Sequence, residues 1–159
     1  EHRLTSTKAY EVVAEVYLSD EVPEVQVGRA TSILDLAARA CADQYKWSDS
    51  RKASAIDIGL YSSVSAYLID KLVAVGTGET AIAALRAAVA AQPEEEFRRF
   101  AAQDWRSDLA LTRGLRSRAL DAGVPDEDEA LDMAFQLFEL GARRAQSVAL
   151  FQLDLMQGE

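Results

Sequence analysis

The chain has 159 residues, 49% of them hydrophobic and 27% charged, with a formal net charge of −9. That length supports one domain with a sizeable core and no disulfide or metal staples, and the single cysteine, Cys41, excludes an internal disulfide framework. The acidic balance argues against broad binding to nucleic-acid phosphates, and no apolar run approaches the ~18–20 residues of a membrane span, so neither nucleic acid nor membrane is an expected partner.

Apolar spacing is helical nearly throughout and never alternates as a strand would. Thr5 or Ser6 is placed to cap a first helix carrying Ala9, Val12, Val13 and Val16. Asp20 followed by Pro23 marks a second start. That helix runs to about Trp47, with Val27, Ala30, Leu34, Ala37, Cys41 and Tyr45 on one side and Cys41 read as a small buried hydrophobe. "WSDS" (47–50) breaks the pattern and recaps it. A third helix spans about 51–75, and "GTG" (76–78) ends it in turn chemistry. A short Ala-rich helix, "TAIAALRAAVAA", follows.

"QPEEE" opens a long helix, with Pro near its start and three Glu in the first turn. Its core side is supplied by Phe97, Phe100, Trp105, Leu109, Leu115 and Leu120. Arg99, Arg106 and Arg113 recur at seven residues on one face, with Arg116 beside them. That face is either an anion cradle or, more plainly, a solvated surface interspersed with acids. "DAGVPDEDE" (121–129) is a glycine stop with an acidic restart. The last helix carries Leu131, Phe135, Phe138, Ala142, Ala145 and Ala149. The expected fold is therefore all-α: six helices in a single domain over 1–159, globin-like or an orthogonal bundle.

Most catalytic constellations fail by inventory. The one histidine, His2, lies near the start, so there is no Ser–His or Cys–His dyad, no His-rich metal site and no proximal haem ligand. No phosphate loop or dinucleotide fingerprint is present. Glu21 and Glu24, with Glu129 and Asp132, are spaced like the magnesium-holding acid pairs of the all-α nucleotide pyrophosphohydrolases. About a hundred residues part the two pairs here, where that family keeps them within a few dozen. Acids at helix starts, favoured by the dipole, account for them. No enzymatic activity is expected.

Two stretches carry the binding expectations. In "DIGLYSSVSAYLIDKL" (57–72), Tyr61 and Tyr67 flank a run of small residues that includes Ser62, Ser63, Ser65 and Ala66, with Gly59 just before it. So bare a helix lets a partner helix, a flat ligand or a DNA groove come close, and close helix packing is the first reading. Asp57, next to Ile56 and Ile58, is a candidate partly buried carboxylate that needs donors: a ligand N–H, the local backbone or Ser54. In "SVALFQLDLM" (147–156), Leu150, Phe151, Leu153, Leu155 and Met156 cannot all face one core. That predicts an interface, most simply a homodimer through the last helix. The polar opening "EHRLTSTKAY" shows no secretory leader, and a cytoplasmic location is expected.

Several segments in order resemble the phycobiliproteins, the bilin-carrying branch of the globin superfamily. "YLSDE" (17–21) resembles their early turn, and "SILDLAARACADQYKW" (32–47) is similar to the helix before their pigment loop. "DIGLYSSVSAY" with "VAVGTG" resembles the region where an aspartate holds the bilin nitrogens, and "GVPDEDEALDMAFQLF" (123–138) the closing helices. The attachment cysteine would fall near Ser54, the arginine beside the aspartate is matched by Ile56, and the pigment loop is cut to "SDSR". The resemblance implies a relative without covalent pigment that at most holds a tetrapyrrole noncovalently. Asp57 would accept the nitrogens, Tyr61 and Tyr67 would be the stacking walls, and Ser54 and Ser63 would lie in the same site. A second resemblance is to TetR-type repressors. "ILDLAARACADQY" resembles their first helix and "ASAIDIGLYSSVSAYLIDK" their helix-turn-helix, which would imply a ligand-responsive regulator. A purely structural protein–protein interaction module is the remaining alternative.

Overall fold

The computed structural model is described over residues 9–19, 21–102 and 104–157. Among these residues all regular structure is helical, as the periodicity predicts. The helices are α1 (Ala9–Leu18), α2 (Glu24–Tyr45), α3 (Asp49–Ala74), α4 (Glu79–Ala90), α5 (Glu94–Arg99), α6 (Leu109–Asp121) and α7 (Asp128–Gln157), with a 3₁₀ turn at Trp105–Ser107. Among the described residues no helix is long and apolar enough to cross a membrane. The expected caps Thr5, Ser6 and Asp20, and His2, lie outside the described residues.

Helix ends follow local chemistry. At Gly76 (φ 97°) and Gly123 (φ 90°) the chain turns left-handed, which costs glycine little. The next amides close back onto each helix, from Thr77 to the Leu72 carbonyl (2.9 Å) and from Val124 to the Ala119 carbonyl (3.0 Å). The end of α2 uses the same closure without glycine. Lys46 takes φ 51°, and the Trp47 amide donates to the Ala42 carbonyl at 3.1 Å. A side chain in that conformation costs roughly 1–2 kcal/mol.

The long helix expected after "QPEEE" is instead broken, which makes seven helices rather than six. Phe100 and Trp105 are five residues apart, so on one straight helix they would point about 140° apart. The break lets both be buried, edge to face at 5.1 Å. Asp108 then restarts the helix. Its carboxylate accepts from the amides of Ala110 (3.2 Å) and Leu111 (3.1 Å) and is gripped by Arg99 Nη2 at 2.5 Å. Leu109 and Leu120, expected on the core side, are exposed.

The chain groups into two compact units: residues 1–67 with 144–159, and residues 68–143. In the first unit α1 packs on α2 around Val13, Ala30 and Leu34, with Ile56 and Leu60 of α3 against them. Lys52 of α3 pairs with Asp35 of α2 at 2.8 Å. Val27 and Tyr45, expected on the inner side of α2, are exposed, and Ala38 is buried in their place.

The second unit buries a larger set of apolar side chains, among them Leu72, Leu85, Phe100, Leu111, Leu115 and Phe138. Each such side chain contributes about 1.5–3 kcal/mol by leaving water. Gly141 of α7 is required by packing: a Cβ there would sit 2.3 Å from Val89 Cγ1 of α4. The side-chain amide of Gln92 crosses the same contact, donating to the Phe138 carbonyl at 2.9 Å.

Candidate binding site

The five residues expected to hold a ligand all lie on α3, but not on one face. At about 100° per residue, Ser54, Asp57 and Tyr61 fall on one side, and Ser63 and Tyr67 on another. Ser54 and Ser63 are buried; Asp57, Tyr61 and Tyr67 are half-buried. The Ser63 hydroxyl is taken up within the helix, donating to the Gly59 carbonyl at 2.7 Å. Asp57 is held differently. Burial alone pushes its carboxyl above the usual carboxylate range, and neither Ser54 nor a backbone amide offsets it. The small face has an occupant on one flank: Arg144 of α7 donates from Nε to the Ser62 hydroxyl at 2.9 Å.

The end of α7 docks on the corner between α2 and α3. Trp47 lies there, stacked on Tyr45 at 6.2 Å and edge-on to Phe151 at 5.1 Å. Arg51 lies over the Phe151 ring at 5.8 Å and donates from Nη2 to the Asp154 carbonyl at 2.8 Å. Its Nε is 3.4 Å from the Asp154 carboxylate, an ion-pair distance without hydrogen-bond alignment. The Ser48 hydroxyl donates to that carboxylate and accepts from the Arg51 amide at 3.1 Å, capping α3. Of the five residues expected at an interface, Phe151 is therefore turned inward. Leu150, Leu153, Leu155 and Met156 are exposed at 58%, 47%, 45% and 73%. Asp154 is the one charged residue between 147 and 156, and it is the one the corner has paired.

Sequence reasoning missed this corner. Trp47 reads in the sequence as a helix end, and Asp154 carries no expectation there. The three-residue step from Phe151 to Asp154, one helix face, was the available signal. The same corner borders a solvent-open hollow of about 80 Å³ between α2 and α3, lined in part by Leu34, Ala38, Cys41, Trp47, Ile56 and Gly59.

The arginines expected on one face are dispersed by the break after α5. Arg99 pairs with Asp108 (2.5 Å), Arg106 with Asp132 (2.5 Å) and Arg116 with Asp126. They form separate ion pairs within the second unit, not an anion cradle. Among the described residues no three His, Cys, Asp or Glu side chains cluster as metal ligands. Comparison with known proteins finds no matching family model, no similar curated protein and no similar solved structure.

Proposed function

We propose that this chain is a non-enzymatic helical binding module that self-associates as a homodimer through the end of α7. The observation that carries the proposal is the exposure of Leu150, Leu153, Leu155 and Met156 in a stretch, residues 147–156, whose one charged residue, Asp154, is paired in the corner. Exposed apolar patches of this kind are characteristic of contact surfaces. Two copies carrying −9 each repel least where neither presents charge. The globin-like arrangement and cytoplasmic setting implied above belong to the same proposal. The test is mass in solution: the wild type runs as a dimer, and Leu153→Asp as a folded monomer. A wild type that stays monomeric at high concentration contradicts it.

A second reading is favoured by Asp57. A half-buried carboxylate with no hydrogen-bond donor among the described residues suits a flat ligand that brings its own N–H groups, and a noncovalent linear tetrapyrrole is the case the resemblance implies. Ser54 and Tyr61 share its side of the helix. Biliverdin added to the protein is expected to give a shifted, saturable visible band, lost in Asp57→Ala. Absence of saturation in the wild type removes this reading and leaves the interface untouched.

A further inference from the structure

Resting on the homodimer reading above, we propose that the end of α7 lies antiparallel against the same segment of a second copy, through a seam of Gln146, Ala149, Leu153 and Met156. These four follow one another at steps of three, four and three residues, and all are exposed. At about 100° per residue they fall within an arc of about 80°, the narrow stripe of a helix that packs against one other helix. Leu150, also exposed, flanks the stripe. The two charged residues between 144 and 157, Arg144 and Asp154, lie on the other side of the helix with Phe151. Each of the three already has a partner there: Ser62 for Arg144, Ser48 and Arg51 for Asp154, Trp47 for Phe151. The stripe itself therefore carries no charge, and two copies meet along it without like charges facing.

The order of side-chain sizes selects both the partner and its direction. The four positions are symmetric about residue 151. Turned end for end, a second stripe places the partner's Leu153 opposite Ala149 and the partner's Met156 opposite Gln146. Both central layers then join a leucine to an alanine, and both outer layers a methionine to a glutamine, so the helices keep one separation along the seam. In a parallel pair Ala149 would face the partner's Ala149, and Leu153 the partner's Leu153. That leaves a gap beside a filled layer, against the close packing that helix contacts favour. The outer glutamines keep their amides at the rim, where water completes their hydrogen bonds. A two-fold pair of this kind is closed and stops at two copies. Leu155 falls off the stripe, about 140° from its centre, and is no part of the seam.

Within one α7, residues 146 and 156 are about 15 Å apart, beyond the roughly 4.4–6.8 Å that a disulfide spans between Cα atoms. With Cys41→Ala removing the native thiol, Gln146→Cys/Met156→Cys is expected to oxidise to a covalent dimer and nothing larger on a non-reducing gel. Each single variant, Gln146→Cys or Met156→Cys, should stay uncrosslinked. Leu153→Asp should reduce the solution mass to that of a monomer, and Leu155→Asp should leave the dimer. Crosslinking of Met156→Cys alone would mean a parallel pair, and overturns the seam while the homodimer stands. So does a dimeric double variant that forms no crosslink, a ladder of larger species, or a Leu155→Asp variant that dissociates as Leu153→Asp does. A wild type that stays monomeric at high concentration removes the seam and the homodimer together.

Discussion

The two units spend their apolar residues in opposite ways. Among the described residues, the unit of residues 68–143 buries eighteen apolar side chains and leaves four large ones exposed: Val73, Val75, Leu109 and Leu120. The other unit buries seven and leaves nine large ones exposed, from Tyr17 and Val25 to Met156. The difference traces to residue size at the helix contacts. Where the second unit buries Phe100, Leu115 and Phe138, the first offers Ala30, Ala38 and the bare stretch of α3. Small residues bring helices together without burying much surface, so larger side chains are left over at the surface. The surplus of exposed apolar side chains lies in the unit that carries the proposed contact surface.

The comparison breaks most readily in the cores. Leu115→Ala, at a fully buried position, is expected to cost about 4 kcal/mol, and Leu34→Ala, in the looser unit, about 2 kcal/mol. Chemical denaturation of the two variants measures both. Equal losses would mean that the first unit is packed as tightly as the second.

A smaller effect separates the units by charge. In the second unit the hydrogen bond from Arg99, with help from the Leu111 amide, holds the Asp108 carboxyl below the usual carboxylate range. In the first, Lys52 does the same for Asp35. A folded-state value below the unfolded one adds stability that is complete above about pH 4 and is lost as pH falls through the folded value. Asp57 has the opposite sign: burial raises its carboxyl, so its charged form is a liability at neutral pH that protonation relieves. Asp108→Ala also removes the cap of α6. It should lower the melting temperature by a few degrees at neutral pH and by less in acid, as thermal scans across pH would show. An unchanged melting temperature would mean that the restart of α6 does not depend on its cap.

Much of the fold was legible because helix stops are local chemistry. Gly76 and Gly123 sit at the two left-handed turns that their sequence context predicts. The break between Phe100 and Leu109 was not legible, because no glycine or proline marks it. It arises from burying two aromatics and from the Arg99–Asp108 pair, which are tertiary facts. Lys46 is a turn of glycine type without a glycine, so the α2–α3 corner was misplaced by about two residues. The surplus of apolar residues on the last helix was legible, since five of them cannot share one helix face. That Phe151 is the one turned inward was not, because its partner Trp47 is about a hundred residues away in the chain.

Hydrogen–deuterium exchange at low and high protein concentration tests the central claim most directly. If the end of α7 is the contact surface, amides over residues 146–156 gain protection as concentration rises, and those of the second unit's core, such as Leu111 and Leu115, do not change. Exchange over 146–156 that is independent of concentration would contradict the account.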